Sequence, residues 1–422
     1  MTETLTDRRA RLLGPNMPTF YEDPIHIVRG EGVWLWDAEG RKYLDCYNNV
    51  PHVGHCHPKV VEAIARQAST LNTHTRYLHE GILDYAERLV GKFSHGLETV
   101  IMVCTGSEAN DIALRMGQAV TGKTGVIATD NTYHGNTALV SQLSTKKPPI
   151  GGYAPNIRRI PSPDSVRPLG GTREGQAEVF AGHVAQAIAE LEEAGFGFAS
   201  LILCPFFANE GFPDLEHGFL DKTAEIVRKA GGILIADEVQ PGFGRLGSHM
   251  WGYERIGVEP DVVTIGKPMA NGHPVAAVIA KPEVTGAFRE AFGYFNTFGG
   301  NPVSCAAAMA VLDVLEDEDL ISNAANSGAY ALQRLSEIKH PMIMQVRGGG
   351  LFFGMEFVDE NGTPAPEFTI RVVEGMKQHG ILLNKLGRHQ NCLKMRPPMP
   401  FSRENVDMVA DALAEVLDGM PV

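Results

Sequence analysis

Gly232-Ile-Leu-Ile-Ala-Asp237-Glu238-Val-Gln240 reads as a buried strand that runs into charge, and a second apolar run downstream, Asp261-Val-Val-Thr-Ile-Gly-Lys267-Pro-Met, ends the same way. A lysine and an acid at the ends of two such strands suit one cofactor, pyridoxal 5'-phosphate. The lysine amine forms a Schiff base with its aldehyde, and a carboxylate faces the pyridine nitrogen and keeps it protonated. The charged ring then takes up the electron pair left when a bond breaks at an amine-bearing carbon. Either residue alone reads more readily as the polar end of an ordinary core strand. The pairing gains weight from its surroundings.

Those surroundings alternate strand-like and helical segments, the signature of a mainly parallel α/β sheet. Strands are expected at residues 99–104, 125–129, 200–204, 233–236 and 262–265, with helical patterns at 108–120, 183–193 and 220–230. The Pro- and Gly-rich stretch 146–174 reads as a long surface excursion. After Phe298-Gly-Gly-Asn-Pro302 come a helical pattern from residue 304, strand-like segments at 344–347, 351–357, 381–384 and 392–395, and a final helix over 404–417. At 422 residues the chain exceeds the usual size of one core. It divides into an N-terminal segment (1–58) joining a small domain, a large cofactor-binding domain (59–303) and a C-terminal small α+β domain (304–422).

Composition narrows the partners. A net charge of −13 argues against nucleic acid or an anionic membrane. Six cysteines without C-x-x-C spacing suit reduced thiols, and no apolar run is long enough to span a bilayer, so a cytoplasmic enzyme is expected.

Two motifs gather at the carboxyl edge of the sheet, where open α/β folds bind ligands. Val103-Cys-Thr-Gly106-Ser107-Glu-Ala-Asn-Asp closes a strand and opens a helix. Free helix amides, a glycine and a hydroxyl make a phosphate cradle there, or else a plain turn capped by Ser107. Tyr133-His134-Gly135 follows the next strand, so its ring can stack on a planar cofactor or simply pack the loop. Gly242-Phe-Gly244-Arg-Leu-Gly247 matches a dinucleotide fingerprint, but no helix opens after it, so the match lacks its context. His52, His55, Cys56, His57 and His74 follow no closed zinc spacing, and no metal is expected.

With these pieces placed, the chain resembles the class III (ω) aminotransferases, pyridoxal-phosphate enzymes of fold type I, from Gly54-His-Cys-His-Pro58 to Pro397-Pro398. The resemblance implies that Gly106 and Ser107 hold the cofactor phosphate and Tyr133 stacks on the ring. It also implies that Asp237 pairs the ring nitrogen, Gln240 lies near the ring hydroxyl, and Lys267 is the Schiff-base lysine. Thr297, in Asn296-Thr-Phe-Gly-Gly-Asn-Pro, is similar to the residue that reaches the phosphate of a partner subunit, which implies a homodimer.

Departures from the family pattern carry the functional expectation. The usual Glu-Pro-Ile-x-Gly-Glu segment is replaced by Cys204-Pro-Phe-Phe-Ala-Asn209-Glu210-Gly211, and the usual carboxylate-clamping arginine by Lys394. A guanidinium fork suits a planar carboxylate, whereas an ammonium serves a tetrahedral oxyanion equally well. The segments Cys46-Tyr-Asn48-Asn49-Val50-Pro-His52 and Leu71-Asn-Thr-His-Thr-Arg76-Tyr resemble the ethanolamine-phosphate phospho-lyase branch. That branch eliminates phosphate instead of transferring an amino group. With O-phosphoethanolamine the products are acetaldehyde, ammonia and phosphate, and Asn49, Arg76 and Lys394 are the candidate substrate residues, with Arg396 a competing contact. The alternatives are an ω-amine:pyruvate aminotransferase using the same Lys267 and Asp237, and a non-catalytic cofactor-binding protein. The latter is disfavoured because both residues are retained.

Overall fold

The computed structural model describes residues 3–144 and 149–420. Its centre is a seven-stranded sheet. Numbered in chain order, its strands are β1 Thr99–Val103, β2 Gly125–Thr129, β3 Ile157–Ile160, β4 Phe198–Leu203, β5 Ile233–Asp237, β6 Val262–Ile265 and β7 Ala276–Ala280. The spatial order is β1-β7-β6-β5-β4-β2-β3. Five neighbours from β3 to β6 pair in parallel, and β7 runs antiparallel between β6 and β1. Strands β2, β4, β5, β6 and β7 are buried throughout, which is why they read as unbroken apolar runs rather than alternating ones.

The sequence expectation holds for five of these strands and misses β3 and β7. Within the expected excursion, Ile157 and Ile160 turn inward and make a sheet edge, a pattern too short to show a period. Residues 146–148 of that stretch lie outside the described residues. Strand β7 is Ala-Ala-Val-Ile-Ala, whose alanines carry little β preference.

Two four-stranded sheets flank the large one. The first joins Ile27–Glu31, Trp34–Asp37 and Lys42–Asp45 to Ile381–Leu382 from the far end of the chain. The second contains Ile343–Gly349, Phe352–Phe357, Cys392–Met395 and Asn384–Leu386. The expected single strand at 381–384 is therefore split between two sheets.

Helix Gly106–Thr121 matters most for the site. Thr105 and Glu108 form a capping box at its start, and Gly122 closes it at φ 67°, a left-handed conformation that glycine adopts freely. Such a cap is worth about 1 kcal/mol. Ile112, Ala113, Leu114 and Met116 are buried, so the helix lies fixed across the sheet with its N-terminus at the carboxyl edge. Because Thr105 is the cap, the alternative of a plain turn capped by Ser107 falls away: Ser107 sits in the first helical turn. Among the described residues no helix is long and apolar enough to cross a membrane.

Candidate active site

The ends of β1, β2, β4, β5 and β6 surround a cavity of about 190 Å3 lined by Gly106, Ser107, Tyr133, Asp237, Gln240 and Lys267, together with Thr105, Asn110, His134, Gly135, Cys204 and Val239. Six of the expected residues thus converge, although they come from four separate segments of the chain.

At one end the helix N-terminus is open. The capping box uses the amides of Cys104, Thr105 and Glu108, whereas those of Gly106 and Ser107 stand outside the helical ladder. Ser107 Oγ accepts a bond of 3.1 Å from the Asn136 amide, and its own proton remains to be given. A Cβ on Gly106 would lie 3.0 Å from Val239 Cγ2. One on Gly135, at φ +142°, would lie 2.5 Å from Ser107 Oγ. Both positions let backbone approach an anion closely.

At the other end Asp237 is nearly buried and tightly held. Its Oδ2 accepts from His134 Nδ1 at 2.6 Å and Asn110 Nδ2 at 2.9 Å, and Oδ1 accepts from the Val239 amide at 3.0 Å. Asn110 is oriented in turn by Thr264, whose hydroxyl donates to Asn110 Oδ1 at 2.6 Å. His134 Nε2 meets Thr132 Oγ1 at 2.9 Å. Lys267 follows β6 directly. Burial and the positive Arg396 hold its amine below the ordinary lysine range, and Asp237 offsets this only in part. A buried carboxylate fixed on three sides, a lysine poised toward its neutral form and a helix N-terminus with two amides outside the ladder fit pyridoxal 5'-phosphate.

A second group lies around Tyr47. Lys394 Nζ is 4.8 Å and Arg396 Cζ 5.9 Å from its ring centre, and both side chains are buried. Arg396 donates Nη1 to Gln240 Oε1, which ties this group to the cavity. Its guanidinium pKa is pulled down to about 10 by burial. Asn49 is also buried, and its Nδ2 has no partner among the described residues. Arg76 and Thr297 are not brought to the cavity within one chain. Both are exposed, on segments joined by Arg76 Cζ lying 3.8 Å over the Phe295 ring.

The histidines disperse. His52 bonds the Phe243 carbonyl at 2.8 Å, His55 bonds Asp45 at 2.7 Å, His57 bonds Glu318 at 2.9 Å, and His74 stacks on Tyr77. Among the described residues no group of three or more His, Cys, Asp and Glu side chains is placed to hold a metal. The glycines of the fingerprint-like run serve packing: Gly244 and Gly247 face Ile321 and Ala325 of the helix Leu320–Glu337.

His134, Gly135 and Asn110 are the functional residues that the motifs contained without a role attached. Asn110 is four residues after Gly106, so one helix face carries both the phosphate end and a carboxylate anchor.

This arrangement is that of a pyridoxal-phosphate enzyme of fold type I. The chain belongs to the family "Aminotransferase class-III", whose model matches residues 19–417. It is 42% identical over 96% of its length to "Alanine--glyoxylate aminotransferase 2-like" of Drosophila melanogaster, covering 85% of that protein. It is 36% identical over 98% of its length to "Ethanolamine-phosphate phospho-lyase homolog 1" of Caenorhabditis elegans, covering 93% of it. Among solved structures, a phospholyase from Arthrobacter in complex with phosphoethanolamine superposes with a TM-score of 0.96 at 43% identity, covering 99% of this chain and 100% of that one.

Proposed function

We propose that this enzyme eliminates inorganic phosphate from O-phosphoethanolamine or a similar phosphorylated amine. One water is consumed, and acetaldehyde, ammonia and phosphate leave. The observation that carries this reading is the buried cationic pair Lys394 and Arg396 beside Tyr47, next to a segment in which Cys204 and Asn209 stand where the family pattern has acids. The Arthrobacter structure, with phosphoethanolamine bound, supports the same substrate class.

The cofactor, when bound, supplies an electron sink for the carbanion formed beside the substrate nitrogen. Asp237 would hold its ring nitrogen protonated, and His134 and Asn110 keep Asp237 in place. Lys267 removes the proton from the amine-bearing carbon, helped by a depressed pKa that favours its basic form. Elimination needs the C–O bond perpendicular to the conjugated plane. Lys394 and Asn49 are assigned to pin the phosphate in that orientation, with Arg76 reaching the site from a partner subunit. The substrate dianion offsets the cost of keeping two cations buried together.

The test is to supply O-phosphoethanolamine and follow phosphate release, acetaldehyde and amine transfer to pyruvate. Phosphate and acetaldehyde without transfer support the lyase. Transfer to pyruvate without phosphate release replaces it with an ω-amine:pyruvate aminotransferase; the relative named "Alanine--glyoxylate aminotransferase 2-like" supports an aminotransferase in general terms.

A further inference from the structure

The run 242–247 packs through its glycines, which leaves its one charged residue, Arg245, without a task. Arg245 is wholly buried, and so is His52, which faces it. A guanidinium at this depth is ordinarily paired with a carboxylate. Here Nη1 donates to the carbonyls of Leu351, at 3.2 Å, and Pro397, and Nη2 donates to His52 Nδ1 at 3.0 Å. The other ring nitrogen, His52 Nε2, meets the Phe243 carbonyl at 2.8 Å. Phe243 is held at φ 60°, a left-handed conformation that a bulky residue rarely adopts, so the backbone is strained where the imidazole is received.

These two partners fix the protons of the imidazole. A carbonyl only accepts, so Nε2 carries a hydrogen; a guanidinium only donates, so Nδ1 is bare. His52 is therefore neutral and in one tautomer. Burial, and then the facing guanidinium, hold its pKa well below the ordinary histidine value.

What this pair holds is the wall bearing Tyr47 and Asn49. Asp45 fixes its start, accepting from the amides of Tyr47 and Asn48 at 2.9 Å each. Past its end Asn271, four residues after Lys267, accepts from the Val53 amide at 3.0 Å and donates to the Gly54 carbonyl at 2.7 Å. Between these anchors Asn49 Nδ2 has no partner among the described residues, so its direction follows from the backbone. The His52 amide donates to the Val50 carbonyl at 2.8 Å, a tight turn that transmits the place of the imidazole to Asn49.

We propose that Arg245, acting through a neutral His52, is a positioning residue for the substrate. It sets how far Asn49 stands from the cavity by tying the wall to the run that directly follows Gln240. This role rests on the proposed reading in which Asn49 holds the substrate phosphate.

The test is a double-variant cycle on KM for O-phosphoethanolamine, followed by phosphate release. His52→Leu removes both a donor and an acceptor, and should raise KM about tenfold while kcat stays within about threefold. Cofactor affinity, read by spectroscopic titration of the apoenzyme, should not change. In an Asn49→Ala background the same substitution should raise KM less than about twofold, because the contact it positions is already gone. His52→Gln, whose amide replaces one donor and one acceptor, should recover most of the loss. An unmoved KM, an equal rise in both backgrounds, or a parallel loss of cofactor affinity overturns the proposal. Should His52→Leu fail to fold, Arg245→Lys, which keeps the charge but not the planar fork, carries the same cycle. A second readout needs no turnover: in the 15N-histidine-labelled apoenzyme, the signal missing from His52→Gln should show Nε2 protonated and Nδ1 bare. A doubly protonated ring overturns the proposal. A wild type that releases no phosphate fails the substrate reading, and this role of Asn49 with it; one that does leaves the cycle to decide.

Discussion

Arg396 and Lys394 are both buried, but they are held differently. Arg396 forks toward Gln240 and packs on Tyr47 and Phe352, while its Nε has no partner among the described residues. It also raises the local positive potential that depresses Lys267. Burial is the larger cause of the depressed Lys267 pKa, but replacing Arg396 with Met removes a like charge, so the Lys267 amine should titrate at higher pH. The pH profile of Lys267 acetylation in the apoenzyme reads this directly, and an unmoved profile would mean that burial alone sets the shift. Lys394→Ala should raise KM for the phosphorylated amine about tenfold, the size of a lost charge-assisted contact. An unchanged KM would remove Lys394 from the substrate site. At this scale the sequence was informative for Lys267 and Asp237, because each ends an apolar run in charge. It was silent on the His134–Asp237 bond, which joins residues 103 positions apart and exists only once β2 and β5 share an edge. Glu210 stood in the departing segment without a partner, because the Thr129 hydroxyl that bonds it reaches it across the sheet and not along the chain.

Short elements around the site carry their own titration. Glu238 is fully buried, and its Oε1 accepts from the Tyr253 amide at 2.7 Å in the short helix Gly252–Ile256. Burial pushes its carboxyl up to about 8 from an ordinary 4.5. Between those values the folded chain keeps a proton that the unfolded chain releases, so stability falls as pH rises, by at most about 1.4 kcal/mol per pH unit. Glu238→Gln keeps the accepting oxygen and carries no charge to desolvate. Its melting temperature should therefore lose less than that of wild type between about pH 5 and pH 7.5. Equal losses would place the titration elsewhere. The phosphate end depends on Gly135, where a methyl group would meet both Ser107 Oγ and its Cα, at 2.5 and 2.7 Å. Gly135→Ala should weaken cofactor binding by about tenfold or more, read by spectroscopic titration of the apoenzyme, since the loop or the helix turn must shift. Unaltered affinity would show that the cradle does not need the close approach. The helix Gly106–Thr121 was legible from its strand-then-helix pattern, whereas its true cap, Thr105, was not, because Ser107 is an equally good capping residue on propensity alone.

For the molecule as a whole, the segments carrying Arg76 and Thr297 expose Tyr77 at 67%, Leu78 at 97% and Phe298 at 69%. An apolar shelf of this kind is costly in water and marks an association surface. We expect a homodimer with this shelf inside it. Phe298→Asp should shift the sedimenting species toward monomer, and a persistent dimer would move the interface elsewhere. The mainly parallel sheet was readable from apolar runs, while the joining of Ile381–Leu382 to Lys42–Asp45 was not, since pairing across the chain leaves no local trace.

That long-range joining recurs at the substrate wall. The Arg396 amide donates to the Cys46 carbonyl and the Met399 amide to the His52 carbonyl, both at 2.7 Å, so the segment carrying Tyr47 and Asn49 is stitched to residues 396–399. On the proposed reading, the substrate contacts Asn49 and Lys394 thus lie on other stretches of polypeptide than Lys267 and Asp237. A chimera that exchanges both termini of this protein with those of a transaminating relative would therefore test Asn49 and Lys394 apart from Arg76 and Asn209, which stay with the middle.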